Sequence, residues 1–214
     1  MNLVDFLLHS DVLSRVLALL LLALSVSSWV VIGLQWRRLG RVQQDVPRAK
    51  AAYWQSADPA QAQGRVAALD RDGSLLPLLA ATEAPLPGTL AGATGRRDQL
   101  VRALREAMNA VVQRLQWGQL LLATAGSTAP FIGLLGTVWG IFNALTGMAE
   151  AGQLTIDKVA GPVGEALVMT AAGLAVAIPA VLAYNLLGRR IGRIEAELEG
   201  FAHDLLGLLA PVAD

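Results

Sequence analysis

The sequence predicts an all-α membrane protein with three transmembrane helices. Of its 214 residues, 54% are hydrophobic and only 16% are charged, whereas about a quarter of the residues of a soluble protein are charged. Three apolar stretches, residues 12–34, 120–148 and 161–188, are each long enough to cross the hydrocarbon core as a helix, which takes about 20 residues. The second and third spans are expected to extend as long helices into a cytoplasmic helical bundle.

The basic residues predict the orientation of the chain. Fifteen of the 17 Lys and Arg lie in residues 35–119 or after residue 188, and the other two are Arg15 and Lys158. Because basic residues concentrate in cytoplasmic loops, the N-terminus (1–11) and the loop 149–160 should face outward, and the loop 35–119 and the tail 189–214 should be cytoplasmic. The first residues, MNLVDFLLHSD, are acidic where a cleaved signal peptide would be positive.

Two amphipathic segments flank the spans on the cytoplasmic side. In residues 96–116 and 190–209 the apolar residues recur at helical spacing. No breaker separates residues 96–119 from the second span, so one continuous helix is expected there, bent at Pro130. The tail should pack on the other cytoplasmic helices; the alternative, a helix lying on the lipid surface, is disfavoured because its polar face is largely acidic. The stripes consist of Leu100, Ala103, Leu104, Ala107, Met108, Val111, Val112 and Leu115, and of Ile191, Ile194, Leu198, Phe201, Leu205 and Leu208.

The second and third spans differ from the first in being rich in small residues. Small residues allow membrane helices to approach closely, so these two spans should lie inside a bundle, whereas the Leu-rich first span should largely face lipid. The candidate helix-packing residues are Gly133, Gly136, Gly140, Gly173, Pro130 and Pro179.

Glu165 is the only Asp, Glu, Lys, Arg or His between residues 161 and 188. A carboxylate in the middle of a span costs at least about 3 kcal/mol and usually faces a protein interior or a wet cavity, where it is a candidate proton or ion site. The alternative is an acid in the first turn at the outer interface, favoured by the helix dipole. Three helices of one chain enclose too little space for a polar path, so a homo-oligomer that surrounds a common centre is expected.

Several classes of function are not supported by the sequence. Cysteine is absent, which excludes disulfides and thiolate metal sites, and the formal net charge of zero gives no field for nucleic acid. No nucleophile and base pair, phosphate loop or metal cluster is recognisable, so we expect neither an enzyme nor a cofactor.

Two blocks resemble a known family. Residues 129–143, APFIGLLGTVWGIFN, and 160–185, AGPVGEALVMTAAGLAVAIPAVLAYN, are similar to the second and third spans of the bacterial inner-membrane proton-channel subunits that include ExbB, TolQ and the flagellar stator protein MotA. The similarity is nearer to ExbB and TolQ than to MotA, with ExbB favoured.

This resemblance implies a homopentamer around a single-span partner of the ExbD or TolR kind that carries a membrane aspartate. Proton flow would then do mechanical work on a periplasm-spanning protein of the TonB or TolA kind. By the same resemblance Glu165 corresponds to the essential pore glutamate, and Thr137 and Thr170 to pore-lining threonines. Met169 stands where many relatives have a smaller residue and would narrow the lumen.

The sequence is also compatible with three alternatives to a TonB-type motor. The chain could be a TolQ-type subunit of the Tol-Pal envelope system, a scaffold that conducts no ions, or a sodium-driven motor, since hydroxyl groups beside a carboxylate can coordinate Na⁺.

Overall fold

The structure is a computed structural model that describes residues 11–83, 95–150 and 156–211. In these residues the chain is helical, without a β-strand. The helices are α1 (Val12–Trp54), α2 (Pro59–Leu69), α3 (Leu76–Ala80), α4 (Arg96–Leu115), α5 (Gln119–Glu150) and α6 (Ile156–Leu209). Most of the predicted outer N-terminus, the segment 84–94, part of the loop 149–160 and the last three residues of the tail lie outside the described residues.

Three helices are long and apolar enough to cross a membrane. They are α1, the Gln119–Ala149 part of α5 and the Ala160–Leu209 part of α6, with mean hydropathies of 2.4, 1.5 and 2.2 in their most apolar windows. The predicted fold class, an all-α membrane protein with three spans, is confirmed.

The chain divides into two compact units. The membrane unit comprises Met1–Gly33 and Gly118–Asn185. In its core, Leu17 and Leu21 of α1 pack with Ala129 of α5 and with Met169 and Ala177 of α6. Burial of such apolar side chains stabilises the unit even in lipid because close packing gains dispersion energy.

The second unit comprises Leu34–Trp117 and Leu186–Asp214. The stripe of α4 is buried at Leu100, Leu104, Val111, Val112 and Leu115. The stripe of the tail is buried at Ile191, Ile194, Leu198, Phe201 and Leu205. Leu208, predicted to continue this stripe, is 56% exposed.

The uninterrupted helix predicted from residue 96 into the second span is instead two helices, α4 and α5. A turn at residues 116–118 separates them, and Gly118 has φ +79°, a backbone conformation that glycine adopts without steric cost. A Cβ on Gly118 would lie 2.5 Å from Cγ1 of Val31, so packing as well as backbone conformation requires glycine here. The third span behaves as expected, because α6 continues without a break to Leu209.

Candidate functional site

Glycines bring α5 and α6 into backbone contact within the membrane unit. A Cβ built on Gly173 would lie 2.5 Å from the carbonyl oxygen of Ala129, and one on Gly133 would lie 2.7 Å from the carbonyl oxygen of Met169. These distances are shorter than real Cβ atoms allow, so a side chain at either position would force the helices apart.

The contact continues along the helices toward Glu165. A Cβ on Gly136 would lie 2.9 Å from Cβ of Met169, and one on Gly140 would lie 2.7 Å from Cβ of Ala166. Met169 is therefore buried against α5, at 6% exposure, rather than directed into a lumen as the sequence resemblance implied. Helices α5 and α6 continue through the half-buried Pro130 and Pro179.

Thr137 and Thr170 lie next to each other between these two helices. The hydroxyl of Thr170 donates a hydrogen bond to Oγ1 of Thr137 at 3.3 Å, and Thr137 donates to the carbonyl oxygen of Leu134 at 2.6 Å. Thr137 is buried at 6% exposure and Thr170 is half-buried. The two hydroxyls form a short polar chain from α6 to α5, which ends at the carbonyl oxygen of Leu134.

Glu165 lies on the surface of the membrane unit, apart from the two threonines. Its side chain is exposed, and among the described residues it has no hydrogen bond or ion pair. It is five residues before Thr170 on α6, which corresponds to about 7.5 Å along the helix axis and about 140° around it. The neighbouring Ala166 is buried against Gly140, so Glu165 stands at the edge of the α5–α6 contact.

One polar cluster of the membrane unit was not predicted from the sequence. Asp11 precedes α1, and its carboxylate accepts a hydrogen bond from the indole N–H of Trp139 on α5. Nδ2 of Asn143, one turn further along α5, lies 3.5 Å from the same carboxylate oxygen. Asp11 and Trp139 are separated by 128 positions in the sequence, so no local pattern could have predicted their contact.

The second unit contains arginines just beyond the predicted ends of the first and third spans. The guanidinium of Arg190 lies 3.7 Å from the ring centroid of Trp36, a cation–π contact that suits a tryptophan at a membrane interface. Within the described part of the chain no cluster of three His, Cys, Asp or Glu side chains could hold a metal ion.

Three membrane-length helices, two of them in close glycine-mediated contact with paired hydroxyls between them, define a multi-pass membrane protein with polar groups inside its spans. Residues 81–200 match the MotA/TolQ/ExbB proton channel family, and the chain belongs to that family. It is therefore a multi-pass protein of the inner membrane.

The relatives include biopolymer transport proteins ExbB and Tol-Pal system proteins TolQ. Over 204 residues the chain is 41% identical to the biopolymer transport protein ExbB of Xanthomonas campestris pv. campestris, covering 90% of this chain and 79% of the relative. Over 116 residues it is 53% identical to ExbB of Neisseria gonorrhoeae, covering 54% of this chain and 53% of the relative. It is also 30% identical over 226 residues to the Tol-Pal system protein TolQ of Haemophilus influenzae, covering 98% of this chain and 94% of the relative.

Proposed function

We propose that this chain is the proton-channel subunit of an inner-membrane motor that converts the proton motive force into mechanical work. The work would be passed to a TonB-like protein that spans the periplasm and drives import across the outer membrane. Higher identity to the ExbB relatives than to TolQ (41–53% against 30%) favours this role over a TolQ-type role in the Tol-Pal system.

The observation that carries the proposal is the exposure of Glu165 on an apolar helix. A carboxylate on the surface of a span would face hydrocarbon in a single chain, and this is unfavourable unless protein or water covers it. A ring of copies, most simply a homopentamer, would place Glu165 in an enclosed and sparingly hydrated centre.

A single-span partner would complete the proton path. One carboxylate can bind and release a proton, but a relay needs a second titratable group within reach, and residues 161–188 contain no Asp, Glu, Lys, Arg or His besides Glu165. An ExbD- or TolR-like helix that carries an aspartate would supply this group inside the ring. The hydroxyls of Thr137 and Thr170, which are hydrogen-bonded to each other between α5 and α6, would extend the path away from Glu165 along the helix axis. We also propose that the N-terminus faces outward and that the loop 35–119 and the tail are cytoplasmic, which is supported by the fifteen basic residues in that loop and tail.

Replacement of Glu165 by glutamine tests the proposal. Glutamine keeps the size and a hydrogen-bonding amide but cannot carry a proton, so Glu165→Gln should abolish energised import while the partner protein still co-purifies with the complex. Glu199→Gln, an exposed position of the same helix in the second unit, is the matched control and should behave as wild type.

Three results would redirect the proposal. Wild-type import by Glu165→Gln would refute proton transfer at this residue, and loss of assembly alone would favour a scaffold. Activity that depends on sodium at fixed pH would indicate a sodium-driven motor. A co-purified TolR-like partner would assign the chain to the Tol-Pal system.

A further inference from the structure

A carboxylate at the start of α1 is fixed by groups from two helices. Oδ1 of Asp11 accepts a hydrogen bond from the backbone N–H of Ser14 at 3.2 Å, in the manner of an N-terminal helix cap. Its other oxygen accepts from the indole N–H of Trp139 and faces the amide of Asn143. Both carboxylate oxygens are thus in use, one for the start of α1 and the other for α5.

This cluster lies at the level of Glu165 in the membrane unit. Trp139 and Asn143 flank Gly140 within one turn of α5, and Gly140 packs on Ala166, the residue after Glu165. The side chain that ties α1 to α5 therefore acts on the turn of α5 that packs beside Glu165. Trp139 is held further by stacking on Phe142, with ring centroids 5.7 Å apart.

The charge state of Asp11 suits an anchor rather than a proton carrier. Partial burial raises the pKa of Asp11, but the hydrogen bonds from Ser14, Trp139 and Asn143 together outweigh it and leave the pKa below its ordinary value of 3.8. Asp11 is consequently ionised at neutral pH, and hydrogen bonds to an ionised acceptor are stronger than those between neutral groups.

We propose that Asp11 is a positioning residue, which ties the start of α1 to Trp139 and Asn143 of α5 and thereby holds the Gly140 turn against α6 beside Glu165. The inference rests on the proposed function for its consequence, because a displaced Gly140 turn would change the surroundings of the proton-binding carboxylate. The contact itself can be tested without any assumption about function.

Cross-linking tests the contact. Because the chain contains no cysteine, the introduced cysteines are its only thiols. The pair Asp11→Cys with Asn143→Cys should be joined efficiently within one chain by oxidation or a short thiol-specific cross-linker in native membranes. The control pair Asp11→Cys with Leu145→Cys should not, because Leu145 lies about 200° around α5 from Asn143. Equal cross-linking of the two pairs, or none in the first, would overturn the proposal.

Graded substitutions test the consequence. Trp139→Phe removes the indole donor but keeps an aromatic ring, so it should lower energised import about three- to tenfold, the effect expected for one hydrogen bond. Asp11→Ala removes the acceptor for Ser14, Trp139 and Asn143 together and should lower import by at least as much. Energised import by the double variant should be no lower than import by the more impaired of the two single variants, because both changes break the same contact.

Asp11→Asn keeps an oxygen that can accept from the indole N–H and should restore most of the activity lost in Asp11→Ala. Wild-type import by Asp11→Ala, or an Asp11→Asn variant as poor as Asp11→Ala, would refute the positioning role. Failure of Glu165→Gln to impair import would refute the proposed function instead, while the cross-linking result would still decide whether Asp11 contacts α5.

Discussion

The side-chain amide of Gln35 on α1 donates a hydrogen bond to the carbonyl oxygen of Leu115, the last residue of α4, at 2.9 Å. The same amide donates to the carbonyl oxygen of Trp117, and Arg38 donates to that of Arg114 at 3.0 Å. The last carbonyls of a helix have no partners within it, so α1 supplies the donors that the end of α4 lacks. The turn at residues 116–118 is fixed in this way by a helix far away in sequence.

Replacing Gln35 by methionine should destabilise the second unit. Methionine fills a similar volume but donates no hydrogen bond, so the carbonyl groups of Leu115 and Trp117 would lose their donor in a buried environment. Two lost hydrogen bonds should lower the free energy of unfolding by about 2 kcal/mol, observed as a lower Tm of the purified protein. Gln44→Met, at an exposed position of the same helix, is the control, and an equal effect of the two substitutions would contradict the role of Gln35.

Replacing Gly173 by alanine should separate α5 from α6. The added methyl group would lie 2.5 Å from the carbonyl oxygen of Ala129 and 3.1 Å from Cα of Gly133, and backbone atoms cannot move aside as a flexible side chain can. Overpacking of this kind costs about 1–3 kcal/mol, so a smaller yield of assembled complex is expected after purification in mild detergent.

The control for this experiment is Gly147→Ala. Gly147 lies on α5, and a Cβ there would meet nothing within 4 Å. Because alanine also has the higher helix propensity, Gly147→Ala should assemble at least as well as wild type. A normal yield from Gly173→Ala would show that the close α5–α6 contact is not required for assembly.

The sequence was sufficient to predict the membrane spans and the small-residue face between two of them. Hydropathy identifies a span directly because the bilayer fixes the length of apolar helix required. Gly133, Gly136 and Gly140 recur at helical spacing, so a local pattern was enough to predict that α5 approaches another helix closely.

Contacts that join distant residues could not be predicted in this way. The turn before α5 depends on Gly118, and nothing in the local sequence distinguishes this glycine from the others. Its role becomes visible only in the structure, where Val31 packs against it and Gln35 binds the preceding carbonyl groups. Asp11 likewise carries no sign in the sequence that its partner is Trp139. The position of Met169 between two helices, rather than in a lumen, also depends on which face of α6 meets α5.

Replacing Thr170 by valine should impair proton transfer without affecting assembly. Valine matches the shape of threonine but lacks the hydroxyl that donates to Oγ1 of Thr137 at 3.3 Å, so the polar chain between the helices would be interrupted. Loss of one hydrogen bond corresponds to roughly a tenfold effect at most, which we expect as reduced proton flux into vesicles that contain the purified complex.

Thr146→Val is the control for the threonine experiment. Among the residues that the structure describes, the hydroxyl of Thr146 bonds only to carbonyl groups of its own helix, those of Phe142 at 3.0 Å and Asn143 at 3.1 Å. This variant should keep the wild-type flux. If both valine variants conduct as well as wild type, the hydroxyl groups take no part in the path.

The ion pair between Asp45 and Arg71 should make the stability of the second unit depend on pH. Arg71 donates two hydrogen bonds of 2.9 Å to the carboxylate, whose side chain is only 6% exposed. These bonds lower the pKa of Asp45 below its ordinary value of 3.8. Because the folded state binds this proton less readily than the unfolded state, the stabilisation is fully present above the ordinary pKa and is lost as the pH falls through the lowered pKa.

Arg71→Gln should therefore reduce Tm at neutral pH, because it leaves a buried carboxylate without its charged partner. The difference in Tm between wild type and Arg71→Gln should persist down to the ordinary value of 3.8 and should shrink as the pH is lowered further through the lowered pKa, because protonation of Asp45 removes the charge that Arg71 pairs with. Arg65→Gln provides the control, because Arg65 is exposed and its hydrogen bond in the described part of the chain is one of 3.4 Å to the carbonyl oxygen of Gln55. A difference in Tm that does not shrink as the pH falls below 3.8 and Asp45 is protonated would mean that Arg71 stabilises the unit by packing rather than through the charge of Asp45.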